Sequence, residues 1–149
     1  MMPDDETLLR RIGEAYEAID PVPGLVRDAA RAAFGWRRVD AALAELTADS
    51  AEAAPAGIRG QDGPRLLVFT GPEVAVEIEV SGDGTDREIV GRLAPPAPAD
   101  IAVRHSDGEV AARADRAGHF VVPAVPAGPI SLVFQLADAS SIVTSWVRL

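Results

Sequence analysis

The sequence predicts an α+β fold: an N-terminal helical hairpin over residues 1–50, a linker over 51–57, and an antiparallel β-sandwich of about seven to eight strands over 58–149. Three observations predict it. Up to Ala48 the apolar residues recur three and four apart, as on a helix face. The stretch "TADSAEAAPAG", residues 47–57, is small, polar and marked by proline. Beyond it the apolar period becomes two.

Taken in order, Asp4 and Asp5 cap a first helix whose stripe is Leu8, Leu9, Ile12, Tyr16 and Ile19. "DPVPG", residues 20–24, stops it, because two prolines and a glycine cannot continue the hydrogen-bond ladder. A second helix is predicted from about Leu25 to Ala48, with Leu25, Ala29, Ala32, Trp36, Val39, Leu43 and Leu46 as its stripe. Neither helix buries its face alone, so each must lie on the other or on the sandwich.

In the second half, "EVAVEIEV" (73–80) sets Val74, Val76, Ile78 and Val80 against Glu73, Ala75, Glu77 and Glu79. "ISLVFQL" (130–136) alternates Ile130, Leu132, Phe134 and Leu136 against Ser131, Val133 and Gln135. Each pattern marks a strand with one buried face. Shorter runs are "RLLVF", "DREIVGRL", "ADIAVRH", "EVAARAD", "HFVV" and "SIVTSWVRL", separated by the turn chemistry of "SGDGTD", "APPAPA", "HSDGE", "DRAG" and "ADASS". The last run is apolar on both sides: Val143, Val147 and Leu149 one way, Ile142 and Trp146 the other. That predicts cover on both faces, the helices supplying one, with Trp36 near Trp146.

Composition narrows the function. There is no cysteine, which excludes disulfides and thiolate metal sites. The net charge is −9, all 14 basic residues are arginine, and no basic patch appears, so nucleic-acid binding is not predicted. An acidic chain suits a basic protein partner, or its charge serves only to maintain solubility. No apolar run reaches the roughly 18–20 residues of a membrane span, and the acidic start lacks a signal-peptide core, which predicts a cytoplasmic protein.

The first candidate site is "AAFGWRRVD", residues 32–40. Residues two apart on a helix point about 200° apart, so Phe34 and Trp36 cannot enter one core together. If the helix is straight, Ala30, Phe34, Arg37, Arg38 and Ala41 form a partner-binding patch with an aromatic anchor and arginines. If Gly35 interrupts it, Phe34 turns back into the core. A second candidate is the acidic column Glu73, Glu77 and Glu79, either a docking face for a basic partner or a solvated strand that resists edge pairing. His105 and His119, with Asp107 and Asp115 between them, suggest a small metal-dependent hydrolase, but their spacing matches no ligand signature. Asp83, Asp86 and Glu88 lack the acid ladder of a calcium loop, and Ser140, Ser141 and Ser145 lack a nucleophile setting. No catalytic residue, metal or cofactor is therefore assigned.

The block "VRHSDGEVAARADRAGHFVVPAVPAGPISLVF" (103–134) resembles the carboxypeptidase regulatory-like, transthyretin-like sandwich family, through Asp107-Gly108, Asp115, Gly118, Phe120 and Val125-Pro126-Ala127-Gly128-Pro129. The resemblance implies a turn at Gly118, core filling by Phe120 and a strand start at Gly128, on a fold that carries no chemistry of its own. The whole chain is similar to small proteins of high-GC bacteria encoded beside extracytoplasmic-function sigma factors and CHAT-domain proteins. That similarity implies a regulatory role with one of those proteins as partner. The resulting expectation is a non-enzymatic cytoplasmic regulatory protein that binds its partner through the N-terminal helices. The alternatives are a structural accessory scaffold and the His105/His119 hydrolase.

Overall fold

The computed structural model describes residues 5–24, 26–28, 30, 40–52 and 63–149, without the side chain of Glu17. The chain divides into two compact units, Met1–Arg38 and Val39–Leu149.

The first unit contains α1, Asp5–Ile19. Asp5 and Glu6 in its first turn complement the positive end of the helix dipole. The helix ends where Asp20 N donates to Tyr16 O at 2.9 Å, just before Pro21 removes the next donor. A second helical segment starts at Gly24, where Val26 N and Arg27 N donate to Pro23 O.

Among the described residues the second unit holds ten strands: β1 (Ala42–Asp49), β2 (Arg65–Gly71), β3 (Val74–Ser81), β4 (Asp86–Ala94), β5 (Ala99–His105), β6 (Gly108–Ala114), β7 (His119–Pro126), β8 (Pro129–Leu136), β9 (Ser141–Thr144) and β10 (Val147–Arg148). They form a single sheet in the order β6-β5-β8-β9-β1-β2-β3-β4-β7, with β10 paired to β8. The order is wrapped so that its two ends, β6 and β7, lie near each other, and the sheet is a nearly closed barrel.

This overturns the predicted architecture of helical hairpin plus antiparallel sandwich. Seven of the eight predicted strand runs each form one strand and the last forms two, but the sheet closes through an element read as helix. Residues 42–49 are β1, paired antiparallel to β2 and parallel to β9 through Ala42↔Ile142, Leu43↔Val143 and Ala44↔Thr144. "ALAELTAD" satisfies both periods. A helix would use Leu43 and Leu46, whereas the strand buries Ala44 completely and leaves Leu43 exposed. Tertiary pairing decides, because β1 meets hydrogen-bonding neighbours on both edges. The parallel β1–β9 seam also removes the strictly antiparallel description. Its end is latched by Ser145, whose N donates to Ala44 O at 2.9 Å and whose Oγ accepts from Leu46 N at 3.0 Å.

The barrel interior is a single apolar core. Leu67 and Phe69 come from β2, Val76 and Ile78 from β3, Ile101 and Val103 from β5, and Phe120 and Val122 from β7. Ile130, Leu132 and Phe134 come from β8. Burying each of these side chains contributes about 1.5–3 kcal/mol. Phe120 and Phe134 meet edge to face at 5.5 Å, and Gly91 on β4 leaves the space that the Phe120 ring fills.

The last run does not continue as one strand. It breaks at Ser145–Trp146, so Ile142 and Val147 both enter the core, and Trp146 is half exposed. The predicted split of Ile142 and Trp146 against Val147 therefore fails, since an interruption resets the alternation. Trp36, its expected neighbour, lies outside the described residues. So do residues 53–57 of the predicted linker.

Among the described residues two alanines have left-handed backbones, Ala124 at φ 54° and Ala139 at φ 68°. Ala124 lies where Val122 and Val125 of β7 face Ile89 and Arg87 of β4, one extra residue on the β7 side, which is a bulge. Ala139 closes the β8–β9 turn through Ala139 N to Leu136 O at 3.1 Å. A Cβ is unfavourable in this region and glycine is not, so Ala124→Gly and Ala139→Gly are each expected to stabilise by about 0.5–1 kcal/mol. Thermal melts of the single and double variants measure this, with an expected rise of roughly 2–4 °C each.

Candidate functional site

The most conspicuous feature in the described residues is the apolar stripe of α1. Leu8, Leu9, Ile12, Tyr16 and Ile19 recur at helical spacing and run roughly 16 Å along the axis. Their spacing predicts the buried face of a hairpin. Instead they are exposed: Leu8 by 47%, Leu9 by 69%, Ile12 by 45%, Tyr16 by 72% and Ile19 by 83%. The rest of the helix is polar, with Arg10 and Glu14 at 3.9 Å as an i,i+4 pair worth only a few tenths of a kcal/mol. A helix of 15 residues is marginal in water by itself, so this face is one that gains from cover.

Of the predicted partner patch, Phe34, Arg37 and Arg38 lie outside the described residues. Ala30 is exposed in the second helical segment. Ala41 is half-buried just ahead of β1 and follows a turn at Asp40. Ala41 is thus not on a helix with Ala30, and the patch cannot be one helical face of five residues.

The predicted acidic column is only partly a column. Glu73 sits in the β2–β3 turn, and β3 carries Glu77 and Glu79. β3 is paired on both edges, so these carboxylates do not protect an edge. Glu77 binds Arg92 at 2.8 Å. Glu79 stays exposed, opposite Leu66 on β2 and Val90 on β4, and Val90 is opposite Val121 on β7. Leu66, Val90 and Val121 are exposed as well, so the outer sheet face carries an aliphatic row around one carboxylate.

The two histidines do not converge. His105 ends β5, where its Nδ1 accepts from Asp107 N at 3.2 Å, while His119 begins β7. The seven residues of β6 lie between them, a span of roughly 20 Å. Asp115 is engaged locally, accepting from the backbone N–H groups of Ala117 and His119. Among the described residues no group of three or more His, Asp or Glu is placed to hold a metal ion. Asp83, Asp86 and Glu88 flank a turn shaped by Gly82 and Gly84, both at positive φ. Ser140 Oγ donates to Asp138, Ser141 Oγ donates to Gln135 Oε1 at 2.8 Å, and Ser145 Oγ accepts from Leu46 N. Each serine is engaged in a turn or a strand seam.

One charged cluster went unseen in the sequence. Asp49, at the end of β1, is buried, and Arg65 at the start of β2 grips its carboxylate through both Nε, at 2.9 Å, and Nη2. Arg65 Nη1 also donates to the carbonyl of Arg148 on β10 at 2.7 Å. The hydrogen bonds from Arg65 outweigh burial and hold the Asp49 carboxyl below the usual carboxylate range, while the same contact raises Arg65 further. This is a structural clasp on β1, β2 and β10.

Comparison with known proteins finds no matching family, no matching curated protein and no matching solved structure. Among the described residues no helix is long and apolar enough to cross a membrane.

Proposed function

We propose that this is a non-enzymatic regulatory binding protein of the cytoplasm that engages a protein partner through its N-terminal helices, with the barrel as a stable platform. One observation carries the reading: five apolar side chains of α1 form a continuous face that is exposed to solvent. Amphipathic helices of this pattern dock by laying such a face into an apolar groove, with anchors at i, i+3, i+4 and i+7. The net charge of −9 favours a partner whose groove is rimmed with basic residues, since complementary charge speeds encounter and fixes orientation. The resemblance to proteins encoded beside extracytoplasmic-function sigma factors and CHAT-domain proteins makes a sigma factor the first partner to test, because its DNA-binding surfaces are basic.

Co-expression with extracytoplasmic-function sigma factors from the same genome, followed by affinity purification and titration calorimetry, tests this. Leu9→Asp with Tyr16→Asp is expected to weaken binding at least 100-fold. Both residues are more than two-thirds exposed, so the thermal transition of the barrel should not move. Phe34→Asp is the companion variant for the candidate patch read from the sequence. Binding unchanged by the α1 pair would remove the helix from the interface.

A further inference from the structure

The strand order leaves β6 at one end of the sheet. One edge of β6 pairs with β5 from Ala99↔Ala114 to His105↔Gly108. Among the described residues no strand pairs with the other edge: β7 lies beside β6 at the Asp115–Gly118 turn, where Asp115 N donates to His119 O at 2.9 Å, and then pairs with β4 instead. An open strand edge is a template for another strand, and natural sheets usually protect it with charge, proline or a bulge. β7, the opposite end of the order, has both Pro123 and a bulge. β6 has neither.

The sequence of β6, "GEVAARA", has a symmetry that matters only when two copies meet. About a twofold axis through Ala111, antiparallel pairing of β6 with itself sets Ala111 opposite Ala111, Val110 opposite Ala112, and Glu109 opposite Arg113. Glu109, Ala111 and Arg113 all point to the exposed side, while Val110 and Ala112 are half-buried and pack on the core. The charged pairs therefore meet on the outer face, on either side of the Ala111 pair, and the Val110–Ala112 pairs meet on the inner one.

The pairing extends through β5. Within one chain Arg113 Nε donates to Asp100 Oδ1 at 2.8 Å, and Arg104 Nε donates to Glu109 Oε1 at 3.2 Å. Across the axis these pairs join into a row of four alternating charges: Asp100, Arg113, then Glu109 and Arg104 of the second copy. A second, identical row runs the other way. Alternation also disfavours three of the four nearest registers that keep the same faces. A slip of two residues one way sets Glu109 opposite Asp115, and a slip of four sets Glu109 opposite Glu109 or Arg113 opposite Arg113, each a like-charge pair.

We infer that β6 is a self-recognition edge, and that two copies of this chain pair β6 to β6 into a twofold dimer with one continuous sheet. Such an interface is isologous, each side chain meeting its complement twice. It is independent of the partner reading for α1, which uses a different element.

The experiment is sedimentation velocity on the full chain across a concentration series, with two charge variants. Glu109→Arg gives β6 two positive charges and Arg113→Glu gives it two negative ones. Each variant alone sets like charges opposite each other twice, and its dimer dissociation constant should rise at least tenfold. Mixed together the two variants are complementary and should form a 1:1 heterodimer. Circular dichroism confirms that each is folded. A cysteine probe covers the case in which a charge variant does not fold. The chain has no cysteine, so in Ala111→Cys the only thiols meet across the axis and should oxidise to a disulfide dimer, while Glu88→Cys on β4 should not. A monomeric wild type at all concentrations, charge variants that dimerise as well as wild type, a mixture that stays monomeric, or an Ala111→Cys chain that oxidises no faster than the Glu88→Cys control would each overturn the inference.

Discussion

Asp49→Ala is expected to lower the stability of the barrel by about 3 kcal/mol, seen as a fall in melting temperature of roughly 10 °C. The loss has two parts. Ala51 N loses its acceptor, Asp49 Oδ1 at 2.9 Å. More important, Arg65 keeps its charge and its bond to the Arg148 carbonyl but loses the carboxylate that neutralises it. Breaking a buried pair from one side leaves an uncompensated charge, which typically costs about 3–5 kcal/mol. The lower end applies here because 30% of the Arg65 side chain still reaches water. Arg65→Lys is not conservative at this place, since an ammonium cannot hold both carboxylate oxygens and a carbonyl in one plane.

The same pair gives a pH dependence of definite sign. The folded-state carboxyl of Asp49 titrates below its unfolded value near 3.9, so the folded protein binds fewer protons there. The stability contributed is fully present above about pH 4 and is lost as pH falls through the lowered folded value. Arg65 is raised, stays charged over the whole accessible range, and adds no slope. In Asp49→Asn the acid limb should flatten by up to one proton's slope, about 1.4 kcal/mol per pH unit. Asp138, also lowered by its bonds from Ser140, keeps a remnant of that limb. Urea melts from about pH 2 to pH 7 measure both. An unchanged acid limb in the Asn variant would show that the clasp does not set acid stability.

The strands were legible where apolar residues alternated with others, even in β8, which the structure buries on both faces from Ile130 to Phe134 rather than on the one face predicted. "ADIAVRH" is β5 residue for residue, and "EVAVEIEV" differs from β3 by one position at each end, because Val76, Ile78 and Val80 are buried and Glu79 is not. β1 was illegible for the opposite reason. In "ALAELTAD" the alanines satisfy either period, and what makes it a strand is the pairing partners, found about 100 residues later in Ile142, Val143 and Thr144. Missing β1 meant missing the closure of the sheet, and it hid the clasp as well, since an Asp49 at a helix end has no reason to meet Arg65. The stripe on α1 is legible as a stripe. Periodicity says that a face seeks cover, but it does not say whether the cover is in the same chain. The palindrome of β6 was in the sequence throughout, and only its place at the end of the strand order gives it meaning.

Gly118→Ala should be more damaging than its single methyl suggests, with an expected loss of about 3–4 kcal/mol in urea or thermal unfolding. Two costs add. The backbone at Gly118 has φ 79°, a conformation in which a Cβ costs about 1–2 kcal/mol. That Cβ would also stand 2.5 Å from the carbonyl oxygen of Leu93. This neighbour is main chain within β4 and cannot rotate away. Nor can the turn move outward, because Gly118 O accepts from Leu93 N at 2.9 Å, Gly118 N donates to Asp115 O at 3.0 Å, and Asp115 N donates to His119 O. The turn is thus pinned to β4 by the contact the methyl would break, and displacing it also shifts Phe120, two residues on, against Phe134. Forced overpacking of this kind typically costs a further ~1–3 kcal/mol. Gly84 provides the control: it has φ 78° but nothing within 4 Å of the added carbon, so Gly84→Ala should carry the backbone cost alone. If the two variants melt together, backbone conformation accounts for the whole effect, and the close approach of the turn to Leu93 has no energetic weight.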